Sequence, residues 1–218
     1  MLILTIETCT DMSTLGLVKN GAVLAAAEFP SRHTLAKGII SRIDWLLNDA
    51  GFKKNDIEAI ALSIGPGSFT GVRIGAAAAK MLAWGLNIPL VAVSTLEAIV
   101  YPYHDFKTAL LAPIINARRH QVYTALFHHG TRLTEDKLLS ADDFHTLIDE
   151  NNEVAVETII IGLTDGLPAP FITENYVAVR ALATPHSLAA IAEKKIAAGE
   201  TVDPMTATPI YLRAAADR

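Results

Sequence analysis

The sequence predicts an α/β fold of two similar lobes, and three observations carry that expectation. Ile6 to Gly21 (IETCTDMSTLGLVKNG) returns in spacing as Ile115 to Gly130 (INARRHQVYTALFHHG). Ile6 matches Ile115, Glu7 matches Asn116, Leu17 matches Leu126 and Gly21 matches Gly130, the order and spacing of an internal repeat. Apolar runs of strand length, such as Leu2–Glu7, Ile57–Ile64 and Ile159–Ile161, alternate with segments of helical periodicity. A glycine-rich stretch, Gly65 to Gly75, joins one such strand to a helix, the junction at which α/β proteins often receive anions or partners.

The elements follow in order. Leu2 to Glu7 reads as a buried strand, Thr8 to Ser13 as a polar corner and Thr14 to Lys19 as a second strand. Asn20-Gly21 favours positive φ at both central residues of a type I′ turn, so Ala22 to Phe29 is a third, antiparallel strand. Leu35, Ile39, Ile43, Leu46 and Leu47 make the apolar stripe of an amphipathic helix. The strand Ile57–Ile64 then enters the turn and a helix over about Thr70–Gly85, followed by a strand at Leu90–Val93 and a helix from about Ser94. Tyr101-Pro102-Tyr103-His104 breaks the pattern and sets the seam, giving lobes of 1–103 and 104–218. In the second lobe Ile159–Gly162 resembles the Ile57–Gly65 strand end, and Ser187–Ala198 resembles the Thr70–Gly85 helix. A closing helix around Arg213-Ala-Ala-Ala is expected to pack back on the first lobe.

The bulk composition narrows the function classes. Of 218 residues 51% are hydrophobic and 19% charged, enough to fold around real cores. A net charge of −5 argues against holding a nucleic acid duplex by phosphate neutralisation alone, though not against an RNA contact shared with a partner. The single Cys9 allows no internal disulfide and points to a reducing, cytoplasmic setting. Met1-Leu2-Ile3-Leu4 reads as a first strand rather than a signal peptide, and no apolar run is long enough to span a membrane.

Several catalytic motifs fail on counting. No Gly-Lys-Ser/Thr follows Gly65 or Gly67 at Walker spacing, and Thr70 stands where a dinucleotide fingerprint needs its third glycine. Pro66 and Thr70 flank Ser68, so the Gly-x-Ser-x-Gly elbow is absent. No histidine has another four residues on, the spacing that places two metal ligands on one helix face. The glycine stretch therefore reads as a tight turn permitting close helix–sheet packing. Beyond it Gly71, Gly75, Ala79 and Ala83 stack on one helix face, a small-residue stripe against which either the chain's own sheet or a second helix packs. Arg73 in the first turn opposes the helix dipole and calls for a compensating group.

Taken in order, Ile6-Glu7-Thr8, GPGSFTGVRIG, Val93-Ser94-Thr95-Leu96-Glu97-Ala98, Ala117-Arg118-Arg119-His120-Gln121-Val122-Tyr123 and Pro209-Ile210-Tyr211-Leu212-Arg213 resemble the TsaB (YeaZ) family along nearly the whole chain. The resemblance implies a two-lobed actin/sugar kinase/Hsp70-like (duplicated ribonuclease H-like) fold. It implies a non-catalytic scaffold that helps form N6-threonylcarbamoyladenosine at adenosine 37 of tRNA. In that setting it pairs with a catalytic TsaD-type subunit, is joined by a TsaE-type ATPase, and self-associates as a homodimer through the same surface. Contact with tRNA would come only through the complex, with no membrane partner. No cofactor is expected beyond weak or interface-shared ATP or ADP. The pairing surface expected here comprises Leu35, Ile39 and Arg42 on the first helix and Gly71, Arg73, Gly75, Ala78, Ala79 and Leu82 on the second. Glu7, Thr8, Arg118 and Arg119 are candidate contacts of a degenerate nucleotide cleft. Glu7-Thr8-Cys9 departs from the family's usual Asp-Thr-Ser, which shifts the carboxylate and weakens a nucleotide–metal role. His33-Thr34 replaces the usual His-Ser, with Thr34 still able to cap the helix. The alternative is an enzyme acting alone: an ATP-dependent small-molecule kinase using Glu7, or a peptidase using Cys9 with His33 or His120.

Overall fold

The structure is a computed structural model that describes residues 1–31, 35–152, 155, 157–163, 166–167 and 169–213. Packing divides the chain into unit 1, Met1–Ala98 with Ala183–Ile210, and unit 2, Ile99–Leu182 with Tyr211–Arg218. Unit 1 is built on β1 (Leu2–Glu7), β2 (Met12–Lys19), β3 (Ala22–Pro30), β4 (Ala59–Ser63) and β5 (Leu90–Val93), in the order β3-β2-β1-β4-β5. β1, β2 and β3 pair antiparallel, and β4 and β5 add in parallel. Asn20 and Gly21 turn β2 into β3 with φ of 51° and 78°, as the type I′ reading requires.

The alternation of side chains along β1 decides what covers each face. Leu2, Leu4 and Ile6 point into a core shared with α1 (Leu35–Asp49) and α2 (Phe69–Leu86). Residues from Leu35 to Leu47 bury the apolar stripe of α1, while α2 buries Gly71, Val72, Gly75, Ala76, Ala78, Ala79 and Ala83. Ser68 caps α2, its hydroxyl accepting from the Gly71 N–H at 3.3 Å, and Asn87 ends it in the left-handed conformation. The chain then passes through β5 and the short α3 (Thr95–Val100).

Unit 2 repeats this plan. β6 (Ala109–Arg118), β7 (Gln121–Thr124), β8 (Phe127–His128), β9 (Thr131–Arg132), β10 (Lys137–Leu139), β11 (Glu157–Gly162) and β12 (Tyr176–Arg180) form a sheet with the path β10-β7-β6-β11-β12, β8 and β9 lying off it. Strand for strand this is the order of unit 1, with the same mix of antiparallel and parallel pairs. α4 (Ala141–Asn151) covers the core as α1 does, through Phe144, Leu147 and Ile148.

The repeat needs one correction. The helix α5 (Pro185–Ala197), set by sequence against α2, follows β12 and so corresponds to α3, which follows β5. Where unit 1 inserts α2 between its last two strands, the described residues of unit 2 include the 3-10 turn Ala169–Phe171, whose Phe171 is buried against Phe144. Residues 183–210 pack with unit 1, whereas the sequence reading gave 104–218 to the second lobe and let only the closing helix pack back on the first. α5 is capped by Thr184 and Ser187 in a reciprocal box, and its Pro185 rests on Gly16 where any Cβ would collide. The expected cap at Thr34, the His33 base and the helix beyond Arg213 lie outside the described residues. Among the described residues no helix is long and apolar enough to cross a membrane.

Candidate functional site

The corner after β1 is closed rather than open. Glu7 is 1% exposed, and its Oε1 accepts from the N–H groups of Cys9 at 2.6 Å and Thr10 at 3.2 Å. Burial pushes its pKa up to about 7, against these hydrogen bonds, which pull it down. The Thr10 hydroxyl faces both the Met12 carbonyl at 2.7 Å and Glu7 Oε2 at 3.2 Å, and its bond to the carboxyl likewise pulls the pKa down. Thr14, register partner of Glu7 on β2, buries a hydroxyl with no partner. Cys9 is fully buried and donates to the Ser63 carbonyl at 3.2 Å. Burial, then the Glu7 charge, raises its pKa to about 12, so it remains an unreactive thiol.

This corner is what the glycine stripe packs against. The Thr8 hydroxyl donates to the Gly71 carbonyl at 2.8 Å, and the Ser68 N–H donates to the Cys9 carbonyl at 2.6 Å. A Cβ on Gly71 would collide with the Thr8 carbonyl oxygen, and one on Gly75 with the Thr8 hydroxyl. The expectation that a foreign backbone nestles on this flank is therefore overturned. Gly71, Gly75, Ala78, Ala79, Leu35 and Ile39 are sealed within unit 1 by its own sheet and helices. Thr8 and Glu7 are likewise engaged internally and present nothing to a nucleotide.

The outward face of the same two helices is different. Trp84 is 68% exposed, Met81 53% and Trp45 57%, with Ile40 and Ala77 beside them in exposure. Arg73, Ala77, Met81 and Trp84 recur at helical spacing and share one side of α2. Arg73 stays at the surface, its guanidinium 3.5 Å from the ring centroid of Phe69 one turn earlier. Arg42 packs over Phe29 at 4.1 Å, and Leu82 is half-buried.

In unit 2, Arg118 and Arg119 are exposed at the turn from β6 to β7. The Arg118 N–H donates to Asn116 Oδ1 at 2.8 Å, and Asn116 Nδ2 donates to the Gly166 carbonyl at 2.6 Å. Asn116, matched to Glu7 in the repeat, thus makes the same bond to the residue two ahead that Glu7 makes to Cys9. Among the described residues no group of three His, Cys, Asp or Glu side chains is arranged to hold a metal.

A family model described as TsaD, tRNA N6-adenosine threonylcarbamoyltransferase, matches residues 30–158. The Escherichia coli (strain K12) tRNA threonylcarbamoyladenosine biosynthesis protein TsaB is 31% identical, over 98% of this chain and 95% of that protein. The Bacillus subtilis (strain 168) protein of the same name is 38% identical over 62% of this chain, which spans only 58% of that relative. YeaZ from Pseudomonas aeruginosa superposes with a TM-score of 0.78 at 26% identity, covering 97% of this chain and 99% of that one. The chain belongs to the TsaB/YeaZ family. Its fold is the duplicated ribonuclease H-like type of actin, sugar kinases and Hsp70, as the repeated strand order already indicated.

The sequence reading did not single out Ile40, Trp45, Met81 and Trp84, the large apolar side chains that these two helices leave exposed. Trp45 sits between Asp44 and the polar run Asn48-Asp49, on the hydrophilic side of the α1 stripe. A tryptophan on the polar side of an amphipathic helix was the available signal.

Proposed function

We propose that this chain is a non-catalytic accessory subunit in the formation of N6-threonylcarbamoyladenosine at position 37 of tRNA. It pairs with a TsaD-type catalytic subunit through the outer face of α1 and α2, and a TsaE-type ATPase joins the pair. The observation that carries this reading is the exposure of Trp84 and Met81 on α2 and of Trp45 on α1, two helices that pack on each other. Large exposed aromatic and Met side chains mark protein–protein contact, and a few such anchors supply most of an interface's energy. The family names add support, since the relatives are called biosynthesis proteins for this nucleoside. The sealed Glu7 and the thiol form of Cys9 speak against the kinase and peptidase alternatives. The same face also serves self-association, which then competes with pairing.

The test is co-purification and light scattering of Trp84→Glu and Met81→Asp variants with the TsaD-type subunit, alongside mass spectrometry of tRNA nucleosides from the reconstituted set. Pairing is expected to weaken at least ~100-fold, about 2.7 kcal/mol, with modification lost and the isolated chain still folded. Undiminished pairing would place the interface elsewhere. Hydrolysis of Mg-ATP or peptide by the isolated chain, lost in Glu7→Ala or Cys9→Ala, would return it to the enzymes.

A further inference from the structure

We propose that the β6–β7 turn, Arg118-Arg119-His120, is a contact for the phosphate backbone of RNA, so that this chain touches tRNA directly. The proposal rests on the tRNA-modification reading above and deepens it. Its starting point is the chemistry of the turn. Arg118 pairs with Gln121 in register, leaving a two-residue hairpin of Arg119 and His120. Such turns need positive φ at both central residues, which Asn and Gly adopt at least cost. The chain's turns at Asn20-Gly21 and His129-Gly130 each set a glycine at one of the two left-handed positions. Here Arg118, Arg119 and His120 are all left-handed, at 65°, 52° and 56°. Three bulky residues hold a conformation that Asn-Gly would hold with less steric strain, and what they add is long cationic side chains at the surface.

The base of the turn is fixed by Asn116, which accepts from Arg118 N–H and reaches the Gly166 carbonyl. A further guanidinium joins from the chain's later residues: Arg213 Nη2 donates to Gln121 Oε1 at 2.7 Å. Arg118, Arg119 and Arg213 thus cluster at one end of unit 2 in a chain whose net charge is −5. Each guanidinium carries five N–H donors in a planar fork, so one that already holds a partner retains donors for a phosphate. The residues of the turn carry no large apolar side chain, and phosphate contacts need none, since they draw on charge and counterion release.

The experiment is titration of fluorescently labelled, unmodified tRNA with the complex of this chain and its TsaD-type subunit, across a range of salt. The same titration is run on this chain alone. For the double variant Arg118→Gln, Arg119→Gln, affinity at about 0.15 M salt is expected to fall roughly 10-fold, and the slope of log K against log salt to shallow by about 1.5. Pairing measured by light scattering should be unchanged. Equal affinity and slope for the variant and the original chain would overturn the proposal. So would loss of pairing with tRNA binding intact, which would mark the turn as a contact for an acidic protein surface. If the chain never pairs, the accessory-subunit reading fails, and the salt slope of the chain alone still decides the turn's role.

Discussion

In unit 1 the turn out of the first strand folds inward over Glu7, while in unit 2 the equivalent turn carries Arg118, Arg119 and His120 outward. Both turns are held by the same bond, from a side-chain oxygen on the matched residue, Glu7 or Asn116, to the N–H two residues on. What differs is the helix inserted later in the chain. Among the described residues only unit 1 inserts such a helix: Gly71 and Gly75 of α2 lock onto Thr8, and Gly67 just before it onto Cys9, which shuts the corner. Duplication gives two copies of one plan, and adding or omitting one helix decides whether a corner becomes core or surface. The lid helix leaves its own far side exposed, with Met81 and Trp84 on it.

The largest expected effect comes from prising α2 off the corner. Gly75→Leu forces a side chain into the Thr8 hydroxyl and should cost about 4 kcal/mol or more, enough to unfold unit 1. On the exposed face of the same helix, Trp84→Glu should change stability by less than about 0.5 kcal/mol. Urea melts followed by circular dichroism would compare them. Equal, small effects would mean that α2 is not locked where its glycines meet Thr8.

Next in size is Glu7. Its pKa near 7 in the folded chain lies above the ordinary carboxylate value of 4.5, so the native state binds the extra proton between those values. Stability contributed by the neutral carboxyl is full below about pH 4.5, is lost as pH rises through about 7, and is level above that. The gap corresponds to something on the order of 3 kcal/mol. Glu7→Gln keeps an oxygen for the Cys9 N–H and offers an amide donor to Thr10, as the amide of Asn116 serves in unit 2. Melting temperatures from pH 4.5 to 8.5 should therefore show a flatter profile for the variant and a higher melting point at pH 8. Parallel profiles would show that Glu7 is ionised throughout and that the corner tolerates its charge.

Much of this was legible in the residues. The spacing from Ile6 to Gly21 and from Ile115 to Gly130 located the repeated strands, because turn glycines and strand alternation are local properties. The match of Glu7 to Asn116 held down to a shared hydrogen bond. The assignment of α5 did not hold, since helical periodicity says that a helix covers a sheet and not which crossover it belongs to. The small-residue stripe misled for a similar reason. Small residues announce that a backbone comes close, but only the fold says whose, and here it is the Thr8–Cys9 corner of the same unit.

In unit 2, Asn116→Ala removes both anchors of the open turn. The loss should be about 1–2 kcal/mol, two hydrogen bonds at a partly exposed site. Hydrogen exchange would check it: faster exchange at Arg118 and Gln121 with β11 unaffected confines the effect to the turn. Uniform loosening of the sheet would instead make Asn116 part of the core of unit 2.

The smallest effect has the opposite sign. Arg119 holds φ of 52° on the exposed tip, where glycine meets no steric penalty. Arg119→Gly relieves that strain but frees the unfolded chain further, and the balance should favour the folded state by roughly 0.5–1 kcal/mol. Chemical melts of the two proteins would show the midpoint rising. A stabilising change at a position occupied by arginine implies that the arginine is retained for a contact outside the chain, so the stabilised variant should also bind tRNA more weakly. In unit 1 the matching corner offers no such trade, because Cys9 and Thr10 are buried and every replacement there disturbs packing. A fall in stability for Arg119→Gly would mean that the side chain contributes more through its own contacts within unit 2 than its backbone conformation costs, and the contrast between the two corners would then reduce to burial alone.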